Sequence, residues 1–172
     1  MNIKLKVLFA ILAVLIISAC ANHPRGWNIA EGYQLTKDRN HNHLMGRVSI
    51  KYEDHEESKR KVFADSANRM SSQSVIDYEI NKIPEGGYIT VLIERSSIRS
   101  ANTNNFQFIT EVDGWQIYNQ AGGNSIANVP GNTGMWWNIE VIPIDRSLVR
   151  ELKLYVSDRI TGGRDEFTII KM

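Results

Sequence analysis

The sequence predicts an all-β fold: an antiparallel two-sheet β-sandwich of Ig-like or transthyretin-like kind. Three observations carry that expectation. From Leu44 onward apolar residues recur with a period of two rather than the helical 3.6. Turn-forming Gly, Asn, Asp and Pro separate the alternating runs. Helix signals are poor by comparison. One solvated face per sheet fits such clean alternation. A small β-barrel is the alternative, because alternation does not distinguish closure from a second sheet.

The elements follow in order. Trp27, Ile29, Tyr33 and Leu35 alternate, so part of this stretch is expected to dock as a first strand. Val48, Ile50 and Tyr52 alternate with Ser49 and Lys51. Ser58 to Met70 holds helix formers and suits a short helix, although Val62-Phe63 also suits a strand. Ile76, Tyr78 and Ile80 alternate with Asp77 and Glu79 and predict a strand. Tyr88 to Ile93 is almost wholly apolar, as a central strand covered on both faces would be. Glu85-Gly86-Gly87 is its entry turn. Phe106 and Phe108, then Trp115 and Ile117, mark two strands joined at Asp113-Gly114, a strong hairpin signal. Val129 to Gly134 is a loop punctuated by Pro130. Trp137, Ile139 and Val141 predict the next strand, with Trp137 inward and Trp136, Asn138 and Glu140 toward solvent. Ser147 to Leu152 has room for one helical turn capped by Asp145 or Ser147. Leu152, Leu154 and Val156, then Phe167 and Ile169, give the last two strands, joined through Thr161-Gly162-Gly163.

The first twenty residues have a different character. Lys4 and Lys6 precede an unbroken apolar run from Val7 to Ile17, and Ser18-Ala19 lead to Cys20, the only cysteine. A basic start, a short apolar stretch and small exit residues describe a secretory signal. The run is too short to cross a bilayer core of about 30 Å as a helix. Ile17-Ser18-Ala19-Cys20 resembles the lipobox of bacterial lipoproteins. That resemblance covers about an eighth of the chain and implies that Cys20 becomes the lipid-bearing N-terminus. Lipid attachment at Cys20 makes membrane lipid the first expected partner. Ala21 resembles the outer-membrane default of the family, so the implied address is the cell envelope, with the protein anchored in the outer membrane.

The expected organisation is a signal peptide over 1–19, a lipidated N-terminus and tether over 20–43, and a β-sandwich domain over 44–172. The tether is polar, broken by Pro24 and Gly26, and fully extended would reach about 75 Å. Removing residues 1–19 leaves 153 of the 172, enough for one domain with a sizeable core. Lys4 and Lys6 leave with the signal, so 18 basic residues face 19 acidic ones, a formal charge of −1. A near-neutral domain offers no basic patch for nucleic acid. With one cysteine there is no intrachain disulfide, and stability has to come from burial and strand pairing.

Catalytic motifs are absent: there is no Gly-x-Ser-x-Gly elbow and no phosphate-cradling glycine loop. His55-Glu56-Glu57-Ser58-Lys59 begins like a zinc-protease helix and lacks the second histidine. His41 and His43 are two apart and share a strand face, with His55 as a third imidazole. His41 and His43 read better as two histidines of a polar tether than as metal ligands, so no metal and no cofactor is expected. Tyr52 to Lys61 switches from acidic to basic and reads as a solvated loop, without the central glycine of a calcium loop. The expectation is therefore not an enzyme.

Binding is the better-supported class. Trp136 on the polar parity of its strand, with Asn138 beside it, is the leading contact candidate, since exposed aromatics are enriched at binding hot spots. Tyr118 and Tyr155 share that polar parity on their own strands. The loops Asn102 to Asn105 and Asn119 to Gly134 are rich in Asn and Gly, which suits adaptable hydrogen bonding and tight turns alike. The expected function is a non-enzymatic, lipid-anchored binding or accessory subunit of an outer-membrane assembly, with a protein or glycan partner. A protective or inhibitory lipoprotein is the alternative, and an envelope hydrolase or metal carrier the more remote one.

Overall fold

The computed structural model describes residues 28–39, 46–130 and 133–172. The expected signal peptide, Cys20, His41 and His43 lie outside the described residues. Eight strands are described: β1 (Tyr33–Arg39), β2 (Gly46–Glu53), β3 (Tyr88–Arg95), β4 (Phe106–Val112), β5 (Trp115–Ala121), β6 (Trp136–Pro143), β7 (Glu151–Asp158) and β8 (Arg164–Lys171). Helices α1 (His55–Asn68) and α2 (Gln73–Ile80) lie between β2 and β3.

The strands form a five-stranded sheet, β1-β8-β7-β4-β5, and a three-stranded sheet, β2-β3-β6, antiparallel throughout. Both sheets are open among the described residues, which excludes the barrel alternative. Inward-facing Val48, Ile50, Tyr52, Ile89, Val91 and Ile93 of one sheet meet Phe106, Phe108, Leu154, Val156, Phe167 and Ile169 of the other in one core. Each large side chain buried there contributes about 1.5–3 kcal/mol relative to exposure. The fold is an all-β sandwich, with β3 central in its sheet as its apolar run requires.

Both turns flanking β3 and closing β4–β5 fall where the glycines require them. Gly87 has φ +79°, and a Cβ there would meet the Glu53 carbonyl oxygen at 2.0 Å. Asp113 (φ 50°) and Gly114 (φ 85°) make the tight β4–β5 connection.

Four sequence expectations need correction. Residues 76–80 form helix α2, not a strand. Ile76, Glu79 and Ile80 are its half-buried residues, an i, i+3, i+4 spacing that alternation over so short a window mimics. Tyr52 to Lys61 is not a solvated loop: helix α1 starts inside it at His55, ahead of the expected Ser58, because Asp54 caps it by accepting the Glu57 N–H at 2.8 Å. No helical turn forms over 147–152. The expected first strand does form, as β1, and it moves the start of the folded unit upstream of the Leu44 boundary: β1 pairs with β8, Ile29 bridges Tyr52, and the Ala30 N–H donates to the Tyr52 carbonyl at 2.9 Å. Part of the expected tether is therefore sheet.

Strand pairing gives the sandwich two ends. At the near end lie Tyr33, Lys171, Glu151, Val112 and Trp115 of the five-stranded sheet, with Glu53, Tyr88 and Pro143 of the other. Asn28, the first described residue, is at this end. The far end carries Gly46, Arg95 and Trp136, the start of β4, and the ends of β5 and β7.

Candidate functional site

The candidate site is the loop cluster at the far end. Loop 122–130 folds back along β6: Asn128 and Trp137 exchange backbone hydrogen bonds of 2.7 and 3.3 Å. The Asn138 amide donates to the Ser125 carbonyl at 3.0 Å, and the Ser125 hydroxyl donates to Asn138 Oδ1 at 3.2 Å. That same Oδ1 accepts the Ile139 N–H at 2.9 Å.

A second loop joins the first. The Asn102 and Asn104 amides both donate to Asn124 Oδ1, at 2.9 and 3.2 Å. The Thr103 hydroxyl donates to the Gly123 carbonyl. Gly122 permits this approach, since a Cβ there would lie 2.4 Å from the Thr103 carbonyl oxygen. The two Asn-rich loops of the sequence thus form one hydrogen-bonded unit fastened to β6. Ile126 and Val129, within two residues of the β6 bridge, are 80% and 65% exposed.

Beside this unit is a cleft of about 240 Å³ lined by Gly46, Arg47, Glu94, Thr133 and Met135. Glu94 is buried and ion-paired with the exposed Arg47. Next to it, Arg95 donates to the carbonyls of Arg47 (3.2 Å) and Glu94 (2.9 Å) and to Asp158 Oδ2 (3.4 Å). Its guanidinium lies 4.9 Å from the Phe106 ring centre. Arg95 and Asp158 therefore rivet the two sheets at the far end.

The four contact candidates from the sequence do not share a patch. On β6 the inward parity is that of Trp136, Asn138 and Ile142; Asn138 is 4% exposed, while Val141 is 52% exposed. Trp137, Ile139 and Val141 face outward, the reverse of the expected orientation, because Asn138 is buried by its bonds to loop 122–128. Trp136 is half-buried opposite Arg95 at the far end. Tyr118 also turns inward. A bulge at the Thr110/Glu111 register shift sets Tyr118 opposite buried Thr110, and both Ile117 and Tyr118 pack on the core. Burial, then the nearby Glu140 charge, raises the Tyr118 pKa. Tyr155 points outward from the five-stranded sheet under Arg164, whose guanidinium is 3.9 Å from its ring centre.

At the near end a second cleft, of about 280 Å³, is lined by Tyr33, Tyr52, His55, Glu85 and Lys171 among others. The Tyr52 hydroxyl donates to the Gly86 carbonyl at 2.9 Å, and the two tyrosine rings meet edge to face at 5.1 Å. His55 Nδ1 lies 2.9 Å from the Pro84 carbonyl. Among the described residues no group of three or more His, Cys, Asp or Glu is placed to hold a metal ion. No described helix is long and apolar enough to cross a membrane.

No family model, curated protein or solved structure matches this chain.

Proposed function

We propose that this chain is a non-enzymatic lipoprotein of the bacterial envelope. Cys20 holds it in the outer membrane, and the far-end loop unit binds or braces a protein or glycan partner. One observation supports this reading above the others: the point where the chain enters the fold and the ordered Asn-rich loop unit are at opposite ends of the sandwich. A tether at one end leaves the other end to project. The loop unit offers amide and hydroxyl groups held in place by one another, with Ile126 and Val129 exposed beside them.

The test is photo-crosslinking in the native bacterium, with the crosslinker placed in turn at Ile126, Trp136 and Glu166. A discrete adduct from Ile126 or Trp136, absent at Glu166 on the outer face of the five-stranded sheet, is the expected result. Equal adducts at all three positions, or none with the protein folded and lipidated, would sink the reading. The identity of the adduct then separates an assembly subunit from an inhibitor.

A further inference from the structure

We propose that the near end of the sandwich is a docking surface for the lipid bilayer itself. This rests on the reading that Cys20 carries the anchor. The tether expected from sequence would let the domain roam about 75 Å from the membrane. The structure shortens that reach, because Ile29 is already bridged to Tyr52 and β1 is part of the sheet. From Cys20 to Asn28 there remain eight chain steps, at most about 28 Å at roughly 3.5 Å each. An eight-residue strand such as β7 is itself about 26 Å long at roughly 3.3 Å per residue. The near end, where the chain enters the fold, is thus held within about 28 Å of the anchor, and the far end lies about 26 Å from that entry point.

The chemistry of the near end suits a bilayer interface. Trp115, Val149 and Met172 are 64%, 68% and 78% exposed. They sit on adjoining features: Asp113, two residues before Trp115, accepts the Val149, Arg150 and Glu151 N–H groups, and the Lys171 N–H donates to the Arg150 carbonyl. Arg146 lies 5.7 Å from the Trp115 ring centre. Tryptophan favours the headgroup level of a membrane, and guanidinium and ammonium groups pair with lipid phosphates. Glu31, Glu56, Glu85 and Asp145 are also exposed at this end, so net charge does not drive the contact. Insertion of Trp115 and Val149, with Arg146, Arg150 and Lys171 at phosphate level, does. Such a contact is weak alone, and the lipid on Cys20 makes it effectively intramolecular.

The experiment uses the full mature lipidated chain, in a Trp27→Phe background, reconstituted into vesicles of phosphatidylethanolamine and phosphatidylglycerol with brominated acyl chains. Brominated lipid is expected to quench tryptophan emission, and Trp115→Phe to remove at least half of that quenching. Val149→Asp should weaken it with the circular dichroism unchanged, whereas Trp136→Phe should leave it intact. Undiminished quenching in Trp115→Phe overturns the docking surface. So does a protein adduct, in place of lipid, from a crosslinker at Val149. Mass spectrometry of Cys20 separates the two readings: an unmodified cysteine removes the anchor and the docking together, while a lipidated chain with a silent Trp115 removes the docking alone.

Discussion

Arg95 and Asp158 join the two sheets: the guanidinium at the end of β3 meets the carboxylate at the end of β7 at 3.4 Å, both side chains 5% exposed. Asp158 Oδ1 also accepts the Ile160 and Thr161 N–H groups, at 2.9 and 3.1 Å. Removing one member strands a buried charge. Asp158→Ala is expected to cost about 3 kcal/mol. The double variant Arg95→Met/Asp158→Leu should recover much of that loss. Urea denaturation of the three proteins checks this, and equal midpoints for single variant and wild type would refute it.

Asn138→Ala tests the loop unit. It removes two bonds to Ser125 and the cap on the Ile139 N–H, at a cost of about 1–2 kcal/mol. Hydrogen exchange should quicken over 122–130 and stay unchanged in β7 and β8. Crosslinking from Ile126 should fall in the same variant.

Asp113 predicts an acid dependence. Burial works to raise its pKa, but the N–H groups of Glu151, Val149 and Arg150 outweigh it and hold the carboxyl below the ordinary value of 3.8. A folded pKa below the unfolded one gives stability that is present above the unfolded value and lost as pH falls through the folded one. Asp113→Asn should therefore lower the melting temperature at pH 6, and that gap should close as pH falls below 3.8. A gap independent of pH would rule the carboxylate out as the cause.

The tyrosines predict the alkaline side. Burial raises Tyr33 and Tyr52 above the ordinary value of 10.0, helped by the charge of Asp54. A raised folded pKa gives stability that is full below the unfolded value and lost as pH rises toward the folded one. Tyrosinate absorbance should thus lag behind that of the unfolded chain above pH 10 and appear with unfolding. Tyr52→Phe should cost about 1 kcal/mol through the lost bond to Gly86 and reduce the lag.

Much of the sandwich was legible because its strands bury one face. Val48-Ile50-Tyr52, Phe106-Phe108 and Leu152-Leu154-Val156 alternate in the sequence and are inward in the structure. The failures have two causes: on β6 and β5 tertiary pairing outweighed local pattern, and over residues 76–80 the local pattern was itself ambiguous. Asn138 is buried because Ser125 satisfies it, which reversed the faces of β6. One extra residue in β5 turned Tyr118 inward. Ile76 and Ile80 are four apart and fit strand and helix alike, and only Ser72 ahead of them points to a helix start. The Asn-rich loops were visible, but their mating through Asn124 was not, because nothing in composition shows which loops meet. Arg95-Asp158 left one trace, a charged pair Glu94-Arg95 closing an apolar run.

The course of β1 has a mechanical consequence. It runs from the near end to the far end, antiparallel to β8. When the chain is held at Cys20 and a partner pulls on the far loops, the load travels along the strand axes. The β1–β8 hydrogen bonds then bear the force together, in shear, instead of opening one at a time like a zip. On the proposal that Cys20 carries a lipid, the antiparallel pairing that brings the fold closer to the anchor also loads the connection in its stronger direction.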